Sequence, residues 1–190
     1  MLSLASFSEA MAKAFPQACH DMAQASAELL VPFVDVKYYT NFQEHYIEAI
    51  SGGETMRIPG RLRFLPEMLE NRFEEAAPLA AQCLFTRSND GYLRHRALKR
   101  LLAQSAPWTV PYIILPCGSY VVEITDDILA ATPDFDQTIY APFIRENRPL
   151  MRLLRAQATS YWNVYYRHRY PFQKQYPGLS VITALEHWAT

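Results

Sequence analysis

Three arginines in the C-terminal part of the chain form the strongest candidate for a binding surface. Arg148, Arg152 and Arg155 recur at intervals of four and three residues, which places them on one face of a helix. The same face continues to Trp162 and Tyr166. A guanidinium binds carboxylates or phosphates through paired hydrogen bonds, and aromatic rings stack on nucleic-acid bases. This face therefore predicts an acidic protein partner or, less in keeping with a pI near 6.5, a nucleic acid.

Whether that face is available to a partner depends on the acidic segment that precedes it. Residues 101–143 contain five Asp or Glu and no Lys or Arg, whereas residues 144–190 contain seven Lys or Arg and two Glu. Such a charge distribution fits internal ion pairs between the two segments, and it fits equally a surface for an acidic partner. From the sequence both interpretations stay open, as does self-association through the aromatic side chains.

Arg94 is a second candidate, because it falls among apolar residues. On a helix over residues 91–103, the leucines and Ala97 form one apolar side, and Arg94 lies in the middle of it. An unpaired buried charge would cost several kcal/mol, so we expect an acidic neighbour or several carbonyls to hold this guanidinium. The alternative is an anion clamp in an enzyme pocket, together with the acidic segment Asp126–Asp136.

The acidic segment itself fits helix capping better than metal binding. Asp126-Asp127 and Asp134-Phe135-Asp136 offer oxygen ligands of the kind that Mg²⁺ and Ca²⁺ prefer, but the ordered ligand positions and the glycine of an EF-hand are missing. The sequence also contains no P-loop, no GxGxxG and no GxSxG. We therefore predict no metal and no cofactor, although an active site assembled from distant residues would leave no such motif.

Composition favours a compact, mainly α-helical protein. Half of the 190 residues are hydrophobic, which excludes a disordered chain, and six glycines are too few for the many tight turns of an all-β fold. Three widely spaced cysteines without a CxxC motif suggest reduced core thiols. The N-terminus lacks the basic region of a signal peptide, and no apolar run reaches membrane-spanning length. We expect a cytoplasmic protein that binds no membrane.

Helical periodicity accounts for most of the chain, which we expect to fold as one domain, 1–190, containing a bundle of about eight helices. The predicted helices cover approximately residues 6–15, 17–31, 35–51, 66–75, 77–87, 91–103 and 149–170, and a short segment near Trp188. In the long C-terminal helix, the side opposite the arginines is predicted to be buried and includes Leu150, Leu153, Leu154, Tyr161, Val164, Tyr165 and His168.

Two segments are candidates for short β-hairpins. Residues 54–65 alternate like a small hairpin around Pro59-Gly60, although a structured loop fits equally well. Residues 109–125 fit two strands around a Pro-Cys-Gly turn, and they also fit a proline-kinked pair of helices. A helical structure is favoured for 109–125, because Pro107 and Pro111 suit a helix start and the flanking elements are helical.

These features predict a non-catalytic interaction module whose basic and aromatic helix face binds an acidic partner. Two other classes stay open. One is an enzyme with an anion-binding pocket around Arg94 and the Asp126–Asp136 segment. The other is a structural subunit whose exposed aromatic residues are buried in a homo-oligomer.

Overall fold

Helices make up most of the structure, a computed structural model that describes residues 4–35, 45–70, 73–104 and 106–189. The fold is 69% helical, with ten α-helices and one two-stranded antiparallel sheet in these ranges, which confirms a mainly α-helical fold. The chain divides into two compact units, residues 1–101 and 102–190. The single helical domain expected over 1–190 stays a prediction. None of the helices in the ranges above has the length and apolarity needed to cross a bilayer.

The described residues of the first unit form five α-helices and a hairpin. In it α1 packs against α2, and α2 packs against α4, where Ala23 and Ala27 are fully buried and allow the helices to approach closely. The elements of this unit are α1 Leu4–Ala12, α2 His20–Leu30, β1 Tyr46–Ser51, β2 Glu54–Pro59, α3 Pro66–Glu70, α4 Leu79–Phe85 and α5 Gly91–Leu102. Helical periodicity thus located most of the helices correctly, and within the helix predicted over 66–75 the residues Phe73–Glu75 form a 3₁₀ turn.

The hairpin lies earlier in the chain than predicted. β1 and β2 pair with Ser51 opposite Glu54, so Gly52 and Gly53 form a two-residue turn. Their φ angles are 59° and 81°, and two successive positive φ values are what a type I′ turn requires. A type I′ turn matches the right-handed twist of the two strands that it connects. The Gly52-Gly53 turn therefore favours a hairpin here.

Two expectations about this region are therefore wrong. The helix predicted over 35–51 is a strand at residues 46–51, whereas residues 36–44 lie outside the described part of the chain. A hairpin does include Glu54–Pro59, but its partner strand precedes it, and Pro59-Gly60 is not its turn. The physical reason is that a Gly-Gly pair can end a helix or connect two strands, and only the cross-strand pairing selects between these.

In the described residues of the second unit, every secondary-structure element is helical. Its last helix contacts three of the others and supplies Val181, Ile182 and Leu185 to the core. The elements are α6 Val110–Ile114, α7 Val122–Ala131, α8 Gln137–Glu146, α9 Arg148–Tyr161 and α10 Pro177–Trp188. The favoured helical structure of 109–125 is confirmed, since α6 leads through a 3₁₀ turn at Leu115–Gly118 towards α7.

A glycine permits the close contact between α10 and that 3₁₀ turn. A Cβ atom on Gly178 would lie 2.8 Å from the carbonyl oxygen of Cys117, a distance that real Cβ atoms do not tolerate. The first turn of α10 therefore packs directly on the backbone of the turn after α6. This contact fixes the start of α10, the helix that forms one wall of the candidate site.

The long C-terminal helix does not continue as a regular α-helix to residue 170. After α9 the backbone forms a π-helical turn at Trp162–Tyr166, in which the hydrogen bonds span five residues. The buried side of α9 consists of Leu150, Met151, Leu154 and Ala158. Four residues expected on this buried side are exposed instead, namely Leu153, Val164, Tyr165 and His168. Leu153 lies beyond the edge of a narrow buried arc, and the π turn changes the helical phase of the other three.

Candidate binding site on the basic face of α9

Of the three arginines predicted to form the basic face, Arg155 is engaged within the second unit. Its Nη2 donates to Glu186 Oε2 at 2.6 Å and to Thr183 Oγ1 at 3.1 Å, and both partners belong to α10. The Arg155 and Glu186 side chains are each a little more than one third exposed. Arg155 therefore ties α9 to α10 and neutralises a carboxylate of α10. It does not contribute a free charge.

Arg148 and Arg152, one turn apart at the start of α9, are exposed as predicted. Within residues 4–35, 45–70, 73–104 and 106–189, neither guanidinium takes part in an ion pair or a side-chain hydrogen bond. The acidic residues of this part of the chain thus do not neutralise these two arginines. Arg155 is paired internally, but its partner Glu186 lies within residues 144–190 and not in the acidic segment 101–143 that was expected to supply it.

These two arginines line a cavity of about 250 Å³. The cavity lies where the end of α8, the start of α9 and the end of α10 meet. It is lined by Ile144, Arg148, Met151, Arg152, Glu186 and Ala189. Clefts between the helices of a bundle are a common location for binding sites. The charges at this cleft comprise two cations and one carboxylate, and Arg155 already pairs with that carboxylate.

Burial differs sharply between the apolar and the basic residues of the lining. Ile144, Met151 and Ala189 are 2%, 1% and 7% exposed, whereas both arginines lie at the surface. The cavity therefore combines an apolar interior with a positively charged rim. A ligand that fits both parts carries negative charge next to an apolar group.

The aromatic residues predicted to extend the basic face are used within the protein. Trp162 is 8% exposed, and its Nε1 donates to the carbonyl oxygen of Tyr170 at 2.7 Å. The Tyr166 hydroxyl donates to the carbonyl oxygen of Tyr120 at 2.6 Å. The expectation that Trp162 faces outward is wrong, because the indole is buried and its N–H finds an acceptor, as the N–H of a buried tryptophan usually does. Tyr166 is half-buried and anchored.

A cluster of tyrosines around the π turn was not anticipated from the sequence. The rings of Tyr120 and Tyr161 have centroids 6.0 Å apart, and those of Tyr161 and Tyr165 are 6.3 Å apart. Deeper in the unit, Tyr166 stacks on the fully buried Tyr176 at 5.4 Å. Burial raises the pKa of Tyr166 and of Tyr176. The concentration of tyrosines between residues 161 and 176 was the available signal.

Arg94 is buried, as its position among apolar residues predicted. It is 2% exposed, and its Nη1 donates to the carbonyl oxygens of Ser88 and Asn89 at 2.8 Å and 3.0 Å. Backbone carbonyls thus hold this guanidinium at the turn before α5, which gives Arg94 a structural role there. Its use as an anion clamp in an enzyme stays an untested prediction.

The buried carboxylate of this region belongs to Glu74, and it pairs with Arg96. Arg96 Nε and Nη2 donate to Glu74 Oε1 at 3.0 Å and 2.7 Å, and the Glu74 side chain is 4% exposed. Arg100 Nη1 donates to the Glu74 carbonyl oxygen. The helical pattern of α5 alone does not predict that Arg96 and Arg100 bind a buried residue of another element.

Residues of the acidic segment 126–136 interact with groups close to them in the structure. The Thr138 backbone N–H and hydroxyl donate to Asp136 Oδ1 at 2.8 Å and 2.7 Å, which caps α8 and lowers the pKa of Asp136. Burial raises the pKa of Asp126, an effect that the nearby Arg169 opposes. In the described ranges, no three or more His, Cys, Asp or Glu residues are grouped so that they could hold a metal ion.

Comparison with protein-family models, with curated proteins and with solved structures found no match to this chain. The function proposed below accordingly depends on the chemistry of the cavity and of its rim.

Proposed function

We propose that this protein is a non-catalytic interaction module that binds an acidic protein segment at the cavity between α8, α9 and α10. One observation carries the proposal. Arg148 and Arg152 line the cavity without an ion pair to any described residue, while Glu186 in the same lining is already paired with Arg155. The site therefore offers two guanidinium groups, each able to bind a carboxylate through two hydrogen bonds.

Two features favour an acidic protein segment over a nucleic acid. Trp162 and Tyr166, which would have stacked on bases, are anchored by hydrogen bonds to backbone carbonyls. The arginines also border a cavity with a buried apolar interior, which suits a side chain better than a phosphate backbone. Two cations make few phosphate contacts, and nucleic-acid affinity depends mainly on the number of such contacts.

A fluorescence-anisotropy titration with a fluorescein-labelled decaglutamate peptide tests the proposal. We expect saturable binding that weakens as salt is raised from about 20 to 150 mM, because the contacts are exposed ion pairs. The double variant Arg148→Glu/Arg152→Glu should lose at least about tenfold in affinity, equivalent to ~1.4 kcal/mol. A labelled oligothymidylate of the same length serves as the nucleic-acid probe.

A matched variant separates the site from overall charge. Arg61→Glu/Lys174→Glu reverses the same number of charges at exposed positions that do not line the cavity and should bind decaglutamate like the unmodified protein. Equal losses in both double variants would show that only net charge matters, which contradicts the proposal. Tighter binding of the oligothymidylate than of decaglutamate would contradict it as well.

A further inference from the structure

The cavity interior indicates what the acidic segment carries besides its charges, an inference that rests on the function proposed above. We propose that the partner inserts one neutral apolar side chain into the cavity and places its carboxylates on the arginine rim. The ligand class is thus a peptide segment in which acidic residues flank a leucine, methionine or phenylalanine anchor.

The distribution of polarity supports an apolar anchor. Ile144 and Met151 are almost fully buried, and they line the cavity together with Ala189. Burying an aliphatic or aromatic side chain against such a surface is favourable in proportion to the apolar area removed from water. Met151 adds an unbranched, polarizable side chain that adapts to anchors of different shape.

The pairing of Glu186 with Arg155 argues that the anchor is neutral. Glu186 belongs to the lining, and its Oε2 is held at 2.6 Å from Arg155 Nη2. A carboxylate inserted into the cavity would lose its hydration and would find Arg155 already engaged by Glu186, so the loss would not be offset there. The carboxylates of the partner therefore bind at the rim, where Arg148 and Arg152 are exposed.

The size of the cavity indicates a single anchor. At about 250 Å³ it is below the ~300–1,000 Å³ typical of sites that enclose a drug-sized molecule. One large side chain fills such a space, while the rest of the segment stays outside. This arrangement resembles the buried anchors and polar rims of protein–protein interfaces in general.

Two peptides tested on the unmodified protein decide whether an anchor is recognised. Both are labelled decaglutamates in which one central residue is replaced, by leucine in the first and by serine in the second. The peptides have equal charge, so only the anchor differs. We expect the leucine peptide to bind about tenfold more tightly than the serine peptide, because only leucine fills the apolar interior.

Filling the cavity should remove this preference. Ala189 follows the last residue of α10, so Ala189→Phe enlarges a side chain of the lining without interrupting a helix. In this variant we expect the leucine and serine peptides to bind alike, because the phenylalanine occupies the space that the leucine would fill. Circular dichroism and urea unfolding verify that the variant is folded, and the two-peptide comparison on the unmodified protein stands even if it is not.

The outcomes separate this inference from the proposed function. Equal affinity for the leucine and serine peptides, both weakened by Arg148→Glu/Arg152→Glu, would overturn the anchor and leave the basic site intact. Failure of the unmodified protein to bind any of the three peptides would overturn both. A leucine preference that persists unchanged in folded Ala189→Phe would place the anchor elsewhere and also overturn the inference.

Discussion

Arg155 of α9 and Glu186 of α10 form an ion pair in which Nη2 and Oε2 are 2.6 Å apart. The pair divides the predicted basic face into two functional parts. Arg155 holds two helices together, and Arg148 and Arg152 are left to face solvent at the cavity. The same contact neutralises the acidic residue of the cavity lining, so the rim keeps a positive charge.

Replacing Glu186 and replacing Arg155 should change the affinity for decaglutamate in opposite directions. Glu186→Gln removes the carboxylate and releases Arg155, so decaglutamate should bind about threefold more tightly, as expected for one nearby charge in a largely aqueous environment (~0.7 kcal/mol). Arg155→Gln exposes the charge of Glu186 and should weaken binding by a similar factor. Anisotropy titrations measure both. Shifts in the same direction would show that the pair does not set the charge of the rim.

The same two variants should have little effect on stability. Both side chains are more than one third exposed, and exposed ion pairs contribute about 0–1 kcal/mol. Urea unfolding of each variant provides this control, and a larger loss of stability would make its binding result uninterpretable as a charge effect.

The Arg96–Glu74 pair should matter more for stability, because one partner is buried. Arg96→Ala leaves the Glu74 carboxylate, 4% exposed, without its two hydrogen bonds from Arg96. We expect the free energy of unfolding to fall by about 1–3 kcal/mol, the cost of leaving a buried polar group unsatisfied. Urea unfolding measures the loss. Arg96→Lys keeps the charge and should lose less, and a neutral Arg96→Ala would refute the stabilising role.

The hairpin turn allows a test in which only backbone conformation changes. A Cβ on Gly52 would meet no atom within 4 Å, so a substitution there is limited by its φ of 59° alone. Gly52→Val should destabilise the protein by about 1–2 kcal/mol, because a β-branched residue is strained at positive φ. Gly52→Asn is the matched control and should be nearly neutral, since Asn-Gly suits a type I′ turn. Equal unfolding free energies for the two variants would contradict the turn assignment.

The free energy of unfolding should fall at alkaline pH, because the buried thiol of Cys117 resists ionisation. Burial raises the pKa of Cys117 to about 12, whereas an unfolded cysteine ionises near pH ~8.5. The folded state therefore retains its proton between these values while the unfolded state releases it, so the free energy of unfolding falls as pH rises through this window. Urea titrations from pH ~8 to ~10 measure the slope. Cys117→Ala should reduce that slope by up to ~1.4 kcal/mol per pH unit, and an unchanged slope would exclude this thiol as a cause.

Hydrophobic periodicity was sufficient to predict an element where that element buries one face within its own unit. It located α5, including the burial of Arg94, and it favoured helix correctly for the proline-rich segment that contains α6 and the start of α7. It failed at Tyr46–Ser51, where Tyr46, Ala49 and Ile50 match a helical spacing. There the pairing with Glu54–Pro59 overrides a local pattern that fits two structures.

The sequence predicted only part of the candidate site, because helical periodicity describes one helix at a time. A helical wheel gives the direction of a side chain from the axis of its own helix, and it placed Arg148 and Arg152 at the surface correctly. It contains no information about neighbouring helices. The engagement of Arg155 by Glu186 and the buried apolar interior beside the arginines both require the tertiary arrangement of α8, α9 and α10.

The π turn at Trp162–Tyr166 determines which changes of chain length this segment can absorb. A π turn accommodates one residue more than an α-turn over the same rise, so the segment contains a surplus residue relative to a regular helix. Deleting one residue here would convert the π turn into a regular α-turn and leave the downstream residues near their present rotation, whereas inserting a further residue would rotate everything downstream by roughly 100° relative to α9. The bonds from Trp162 to Tyr170 and from Tyr166 to Tyr120 both depend on the present rotation. This segment therefore tolerates changes of residue type, or the loss of the surplus residue, more readily than an insertion.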